Sequence, residues 1–179
     1  HRVGSHVIVY RDLDGTLALI EHRRHFVERP SRKCSDCGGA NRKNCVQCSD
    51  LDAGWSPNWP AFYLACVRDN PNTPVIDTMS MLRGNATVWI FSGRSDEVRA
   101  ETLRWLSDHC AWLESNGKVL RMRKAGNYTP DDVLKKQWLD EMSADDRARL
   151  VAVFEDRDRM VKMWRANGVS CFQVDEGAF

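Results

Sequence analysis

The sequence has no long apolar run and almost no net charge, and both absences narrow the classes of protein it can belong to. Nowhere in its 179 residues does an apolar stretch approach the ~20 residues that a membrane-spanning helix requires. Its 26 basic and 25 acidic side chains leave a formal charge of +1, less than is usual for proteins that bind nucleic acid by bulk electrostatics. Internal repeats and low-complexity tracts are also missing. With 42% hydrophobic residues, the chain is typical of one domain with one core, and we expect that domain to cover residues 1–179.

The N-terminal sequence HRVGSH lacks the apolar stretch of a secretion signal, and the cysteines do not suit a disulfide framework. Four of the seven cysteines form two C-x-x-C pairs, whereas Cys66, Cys110 and Cys171 are scattered among apolar neighbours. An odd total with this pairing suits a metal site better than disulfides. We therefore expect a reducing, cytoplasmic compartment and no membrane association.

Five short apolar runs rich in β-branched or aromatic residues predict buried strands. These runs are residues 6–10, 87–91, 118–122, 150–154 and 169–174. Helical patterns lie between them, over residues 96–106, 130–142 and 158–167. Strands that alternate with helices of this length predict an α/β fold, with a parallel sheet covered by helices on both faces.

Residues 29–60 interrupt this alternation and have no clear period. The segment contains Cys34, Cys37, Cys45 and Cys48, two C-x-x-C pairs with seven residues between them. Four thiolates with this spacing can surround Zn²⁺ tetrahedrally, so we predict a small zinc-binding cap insertion over residues 29–60. The metal would be structural, because sulfur fills all four positions. The alternative is four free thiols in a loop.

The strongest signal for chemistry is the segment Asp12-Leu13-Asp14-Gly15-Thr16, which directly follows the first predicted strand. In an open parallel sheet, ligands bind beyond the carboxyl ends of the strands. There, Asp12 can attack phosphorus as an ionised nucleophile, and Asp14 can protonate the leaving oxygen and then activate water. Two carboxylates would repel a phosphate dianion, so the pattern also predicts Mg²⁺.

Three further segments follow later predicted strands and helices. Ser92 ends the second strand and can donate a hydrogen bond to a phosphoryl oxygen, with Gly93 beside it. Lys135 lies on a predicted helix and can balance negative charge. Glu155 and Asp156 end the fourth strand and can hold the metal, with Asp12 and Asp14. In this order, the four segments resemble the motifs of the haloacid dehalogenase (HAD) superfamily, which implies a Rossmann-like fold and an aspartyl-phosphate intermediate.

The match extends beyond the superfamily. The segments DLDGTLA, FSGRSDEVRAETLRWL, RMRKAGNYTPDDVLKKQWL and FEDRDRMVKMWRANGVSCFQVDEGAF resemble the 3′-phosphatase domains of the phage polynucleotide kinase-phosphatase family. The resemblance covers residues 6–24 and about 75–179. It implies that Arg23, Arg94 and Arg123 bind the terminal phosphate or the adjoining backbone, together with Thr16 and Gly93. A planar guanidinium suits that role.

The sequence departs from the family at two site positions. Arg11 stands where the family usually has an apolar residue, and side-chain alternation along the strand directs it away from Asp12. Glu155 replaces the first Asp of an Asp-Asp pair, and its longer reach favours a place behind the metal, with Asp156 as the ligand. The family's kinase motif GxxxxGK[ST] does not occur.

These patterns support three functions. The first is a Mg²⁺-dependent polynucleotide 3′-phosphatase that heals DNA or RNA ends, with 2′,3′-cyclic phosphate ends as an extension. The second is a HAD phosphatase for nucleotides or small metabolites. The third is a non-catalytic, zinc-containing module that binds nucleic acid. DNA or RNA preference, oligomeric state and a kinase or ligase domain elsewhere in the full protein stay open. If the chain is phage-encoded, the compartment is the host cytoplasm.

Overall fold

The computed structural model describes residues 7–29, 45, 47–48, 55–82, 85–116 and 119–177, and for residues 114–116 the backbone alone. The chain divides into two compact units. One consists of residues 1–20 and 66–179, and the other of residues 21–65.

Five parallel strands form the main sheet of the larger unit. Their sequence order differs from their spatial order, because β1 lies in the centre. The strands are β1 (Val7–Arg11), β4 (Ala86–Ser95), β5 (Val119–Arg123), β6 (Leu150–Arg157) and β7 (Cys171–Gly177), in the spatial order β5-β4-β1-β6-β7. Strands β2 (Ala18–Leu19) and β3 (Asn70–Pro71) form a separate antiparallel pair. The predicted parallel α/β fold is confirmed.

Helices connect and cover these strands. Within the described residues they are α1 (Glu21–Arg24), α2 (Trp59–Leu64), α3 (Thr73–Ser80), α4 (Arg99–His109), α5 (Asp131–Asp140), α6 (Ala144–Arg149) and α7 (Asp158–Ala166). Short 3₁₀ turns cover Ala65–Arg68, Asp96–Val98 and Ala111–Asn116. The three predicted helices correspond to α4, α5 and α7, with ends that differ by a few residues.

Aromatic residues fill the core on one face of the sheet. The ring of Tyr10 lies 4.6 Å from the ring centroids of both Phe91 and Trp164, and its hydroxyl donates to the carbonyl of Phe91 at 3.1 Å. Helices α5 and α7 contribute Trp138 and Trp164 to this cluster, because each turns its apolar stripe towards the strands. This packing fixes α5, which carries the predicted Lys135.

Arg11 faces the opposite side of the sheet from Tyr10, as strand alternation requires. It is fully buried, and its guanidinium carbon lies 5.1 Å from the ring centroid of Trp112. In the described part of the chain, none of its three guanidinium nitrogens has a hydrogen-bond partner. Burial lowers the pKa of Arg11 to about 9. A buried charge without an acceptor destabilises the folded state.

In the smaller unit, α1 and α2 are joined by polar contacts. Nη1 of Arg23 donates to the carbonyl of Phe62 at 3.3 Å, and its guanidinium carbon lies 4.2 Å from the centroid of that ring. Asn58 begins α2 by accepting a hydrogen bond from the backbone N–H of Ala61 at 3.1 Å.

The predicted insertion at residues 29–60 lies within the smaller unit and largely outside the described residues. Cys34 and Cys37 are among the residues that are not described, whereas Cys48 is buried and Cys45 is partly exposed. The zinc site therefore stays a prediction. In the part of the chain that the structure describes, no helix has both the length and the apolar character needed to cross a membrane.

Candidate active site

The predicted motif residues meet at the carboxyl edge of three neighbouring strands. Asp12 follows β1 directly, while β4 ends with Ser92-Gly93-Arg94-Ser95 and β6 ends with Glu155-Asp156-Arg157. Strands β4 and β6 pair with β1 on either side. Because the three strands are parallel, segments that are far apart in sequence end at one edge of the sheet.

Lys135 reaches this edge from α5. Leu134 and Trp138 hold one face of the helix in the core, and Lys135 lies beside them, fully buried. Its Nζ lies 2.7 Å from Oδ1 of Asp12 and 3.1 Å from Oε2 of Glu155. Burial alone would lower the pKa of Lys135, but the carboxylates of Asp12 and Glu155 have the larger combined effect, so the pKa lies above its ordinary value. The lysine is therefore a fixed positive charge beside the predicted nucleophile.

Three buried carboxylates lie close together at this edge of the sheet. Oxygens of Asp12, Glu155 and Asp156 lie within 4.8 Å of one another. Burial, reinforced by Glu155, raises the pKa of Asp12 to about 8, although Lys135 acts in the opposite direction. Burial is also the main reason that the pKa values of Glu155 and Asp156 lie above their ordinary values. Lys135 and Arg157 both lower these pKa values, but they do not offset the effect of burial.

Gly15 and Thr16 lie against Asp156. Gly15 has a positive φ of 83°, and a Cβ at this position would overlap the carboxylate of Asp156. The hydroxyl of Thr16 donates to Oδ1 of Asp156 at 3.3 Å. On the other side, Nε2 of Gln173 donates to the carbonyl of Asp156 at 2.9 Å. Asp156 is thus held by the first motif and by the last strand.

Asp14 is held by Arg94, which is itself held by Asp69. Nε and Nη2 of Arg94 lie 2.7 Å and 2.6 Å from Oδ1 of Asp14, and Nη2 lies 2.5 Å from Oδ2 of Asp69. Arg94 and Asp69 are buried, whereas the Asp14 side chain is 20% exposed. The indole N–H of Trp105 donates to the carbonyl of Asp69 at 2.8 Å. This chain of contacts fixes the direction of the Asp14 carboxylate.

A second ionic cluster surrounds the predicted serine motif. The hydroxyl oxygen of Ser92 accepts the backbone N–H of Arg94 at 3.2 Å, and Nε of Arg123 donates to the carbonyl of Gly93 at 2.9 Å. Asp131 forms salt bridges with both Arg123 and Arg157. Burial alone would raise the pKa of Asp131, but Arg157, Lys135 and Arg123 together lower it to about 2. Asp131 therefore stays ionised and ties β5, β6 and α5 together at the edge.

Some of the predicted residues are not shown to share this edge. Arg23 lies in the smaller unit, where it packs on Phe62. The cysteines of the predicted zinc site also belong to that unit. Their roles stay predictions.

The sequence patterns did not single out Asp69, Asp131, Arg157 or Gln173, although each contacts a predicted site residue. For Arg157 and Asp131, a usable signal was adjacency, since one follows Asp156 and the other begins the helix of Lys135. Asp69 lies in a segment without a motif, and nothing in its surroundings marks it.

The carboxylate cluster fits Mg²⁺. Magnesium prefers carboxylate and other oxygen ligands, and Asp12, Glu155 and Asp156 supply only oxygens. Burial and the neighbouring Glu155 raise the pKa of Asp12 to about 8, so a bound cation would favour its ionised form. Both oxygens of Glu155 already accept hydrogen bonds, from Lys135 at 3.1 Å and from the backbone N–H of Asp156 at 3.3 Å. The carboxylate of Asp14 pairs with Arg94 and lies outside this cluster.

The sheet and the acidic site at its carboxyl edge define a phosphatase of the HAD superfamily. Residues 60–179 match the family model described as the polynucleotide kinase PNKP phosphatase domain, and the chain belongs to that family. The resemblance found in the sequence is thereby confirmed, while a phage origin stays a prediction.

Solved structures agree with this assignment. A chain of the Pnkp1/Rnl/Hen1 RNA repair complex is 25% identical with a TM-score of 0.67, and a second structure of the Pnkp1/Rnl/Hen1 complex is 26% identical with a TM-score of 0.64. The matches cover 100% and 98% of this chain, but only 46% and 48% of those chains. A haloacid dehalogenase-like hydrolase from Streptococcus pneumoniae shares the fold at 13% identity, with a TM-score of 0.52 over 94% of this chain and 84% of its own.

Proposed function

We propose that this chain is a Mg²⁺-dependent polynucleotide 3′-phosphatase that acts through an aspartyl-phosphate on Asp12. The observation that carries the proposal is the contact between Lys135 and Asp12, at 2.7 Å, beside an Asp14 that Arg94 holds in place. Together they combine a nucleophile, a fixed cation and an oriented acid in one site. Membership of the polynucleotide kinase phosphatase family supports the choice of substrate.

In the first half-reaction, an oxygen of Asp12 forms a bond to phosphorus while the bond from phosphorus to O3′ breaks. Asp14 gives its proton to the leaving O3′, so the nucleic acid departs with a 3′-hydroxyl. Ser92 and Lys135 donate hydrogen bonds to the transferred phosphoryl group. Arg94 orients Asp14 in addition to the phosphate-binding role that the resemblance implies.

In the second half-reaction, water attacks the phosphoryl group on Asp12. Asp14 accepts a proton from the water, the bond from Asp12 to phosphorus breaks, and inorganic phosphate leaves. The sum is a phosphate monoester plus water giving an alcohol plus phosphate. Asp12 and Asp156, with Glu155 behind them, would hold Mg²⁺, whose positive charge would offset the repulsion among these carboxylates and the phosphate dianion.

The full protein is proposed to act in nucleic-acid repair. The matched chains of the Pnkp1/Rnl/Hen1 complexes are about twice as long as this one, which supports a kinase or ligase domain elsewhere in the full protein. The Pnkp1/Rnl/Hen1 assembly is an RNA repair complex, so an RNA 3′ end is the first substrate to test. A structural Zn²⁺ on Cys34, Cys37, Cys45 and Cys48 stays part of the proposal, and elemental analysis of the purified protein tests it.

The test is phosphate release from matched substrates. Oligonucleotides with a 3′-phosphate, as RNA and as DNA, are compared with a 2′,3′-cyclic phosphate end, a panel of nucleotides and p-nitrophenyl phosphate. The proposal predicts a much higher kcat/KM for an oligonucleotide than for the small esters. It also predicts loss of activity in EDTA and recovery on adding Mg²⁺.

The same panel separates the alternatives. Equal or higher kcat/KM for nucleotides or other small esters would indicate a metabolite phosphatase. A protein that binds the oligonucleotides and releases no phosphate from any substrate in the presence of Mg²⁺ would be a binding module. Asp12→Asn is the matched control, because it removes the nucleophile at nearly constant size.

A further inference from the structure

The loop at residues 124–130 connects β5 to α5, the helix of Lys135. Its backbone is held by Arg123, the last residue of β5. Nη1 of Arg123 donates to the carbonyls of Asn127 and Thr129, at 3.0 Å and 2.5 Å, which brackets Tyr128 on both sides. The same guanidinium donates through Nε to the carbonyl of Gly93 at 2.9 Å. The position of Tyr128 is therefore tied to the serine motif.

Further hydrogen bonds fix the loop. The backbone N–H of Ala125 donates to Asp96 at 2.9 Å, and that of Thr129 donates to Oδ1 of Asn127 at 2.9 Å. The N–H of Asn127 donates to the carbonyl of Lys124 at 3.0 Å, which closes a turn. Because these hydrogen bonds already order the backbone around Tyr128, the loop loses little conformational entropy when a ligand packs on the ring.

Tyr128 is 87% exposed, more than any other large hydrophobic residue that the structure describes. It therefore contributes almost nothing to the core. Lys124, at the start of the same loop, adds an exposed positive charge. An exposed aromatic ring on a fixed loop that carries a lysine, and that Arg123 ties to the serine motif, has the chemistry of a surface that stacks on single-stranded nucleic acid.

We propose that Tyr128 stacks on a nucleobase of the polynucleotide that carries the scissile 3′-phosphate. The inference rests on the proposed function and adds a residue that selects polynucleotides over small phosphate esters. Stacking on a base is tolerant of sequence, because every base has an aromatic face. Tyr128 thus contributes to substrate binding and takes no part in the bond-making steps.

The experiment compares steady-state kinetics of Tyr128→Ala, Tyr128→Phe and wild-type protein. Alanine substitution at a base-stacking residue costs about 1–3 kcal/mol, so KM for a 3′-phosphorylated oligonucleotide should rise about 5- to 150-fold with little change in kcat. Tyr128→Phe keeps the ring and should stay within about threefold of wild type. The kcat/KM for p-nitrophenyl phosphate should be unchanged in both variants.

Val119→Ala is the matched control. Val119 begins β5 at the opposite end of the strand and is 40% exposed, so its truncation removes exposed apolar surface away from the site. Its kinetics should match those of wild type on both substrates. A KM increase of the same size in Val119→Ala would show that the effect of Tyr128→Ala is not local.

A series of oligonucleotides with a single abasic position identifies the base. In wild-type protein, one abasic position near the 3′ end should raise KM by the same factor as Tyr128→Ala, and the two changes together should add nothing further. DNA and RNA versions of the series show whether the ring accepts both. An unchanged KM for Tyr128→Ala, or an equal loss on p-nitrophenyl phosphate, would overturn the inference. If wild-type protein hydrolyses only the small esters, the proposed function itself has failed.

Discussion

Nζ of Lys135 lies 2.7 Å from Oδ1 of Asp12, and both side chains are almost fully buried. The same ammonium group lies 3.1 Å from Glu155, so one lysine joins two of the three carboxylates in the acidic cluster. Within a low-dielectric interior, this contact orients Asp12 and lowers the repulsion that a phosphate dianion would meet.

Lys135→Met should lower kcat for phosphate release by about 10²–10³-fold, the usual cost of removing one electrostatic donor from an active site. The variant should also be less stable by about 3–5 kcal/mol, because the buried carboxylates lose their partner. Urea denaturation and steady-state kinetics measure the two effects.

Lys136→Met is the control for that variant. Lys136 pairs with Asp140 on the exposed face of the same helix, and surface pairs of this kind contribute about 0–1 kcal/mol. It should keep full activity. Equal losses in both lysine variants would contradict a special role for Lys135.

Asp69→Asn should change the orientation of the Asp14 carboxylate through Arg94. The change removes one of the two carboxylates that hold the buried Arg94, so the carboxylate of Asp14 is oriented less well. We expect kcat to fall about 10- to 100-fold, less than the 10²–10⁴-fold contribution of a general acid or base. KM should change little.

The leaving group provides the check on this prediction. An oligonucleotide leaves as an alkoxide and needs a proton, whereas p-nitrophenolate is a stable anion. The loss in Asp69→Asn should therefore be larger on the oligonucleotide. Asp108→Asn, an exposed change on α4, should have no effect. A loss in Asp69→Asn that is the same for both leaving groups would argue against a role through Asp14.

Gly15→Ala should abolish most of the activity, because the added Cβ would overlap the carboxylate of Asp156. Gly168 has a similar positive φ, 72° against 83°, but a Cβ there meets open space. Both changes therefore carry the backbone cost of about 1–2 kcal/mol for a left-handed residue. The difference in activity between the two variants therefore measures the effect of displacing Asp156.

The measurement is the Mg²⁺ concentration that gives half-maximal activity. Gly15→Ala should raise it by about tenfold or more, as when the surroundings of a metal ligand are altered, whereas Gly168→Ala should leave it unchanged. If Gly15→Ala kept wild-type activation by Mg²⁺, Asp156 would not be a metal ligand.

Arg11→Met should stabilise the protein. Within the described residues, the guanidinium of Arg11 is buried without a hydrogen-bond acceptor, and a buried polar group in this state costs about 1–3 kcal/mol. Methionine has similar length and no charge, so the free energy of unfolding from urea denaturation should rise by a comparable amount. Arg11→Lys keeps the charge and should give no gain. Lower stability in Arg11→Met would show that the charge is satisfied.

The sheet and the motif residues could be predicted from the sequence because both depend on local patterns. Apolar runs followed by polar residues mark strands that end at a site, as at Asp12 and Asp156. Two of the strands are longer than their apolar runs predict, since β4 continues through Arg94 to Ser95 and β6 continues to Arg157. Their last residues are polar, and no apolar pattern covers them.

The supporting residues could not be predicted, because tertiary contacts alone create their roles. Asp69 lies 25 positions before Arg94 in sequence and contacts it only once the chain is folded. In the sequence, Asp131 is typical of the acidic residues that begin many helices, but in the structure it forms salt bridges with Arg123 and Arg157 at the site. Likewise, the family resemblance predicts only that Arg94 binds the phosphate. Its hydrogen bond to Asp14 is a tertiary contact that no sequence pattern indicates.

The most direct test of the account is to trap the phosphoryl group on Asp12. Wild-type protein is mixed with an oligonucleotide that carries a labelled 3′-phosphate, in the presence of Mg²⁺, and is quenched in acid within the first turnover. We predict acid-stable label on the peptide that contains Asp12 and none in Asp12→Asn, with a 3′-hydroxyl oligonucleotide as the product. Rapid phosphate release by Asp12→Asn, or label on another residue, would contradict the account.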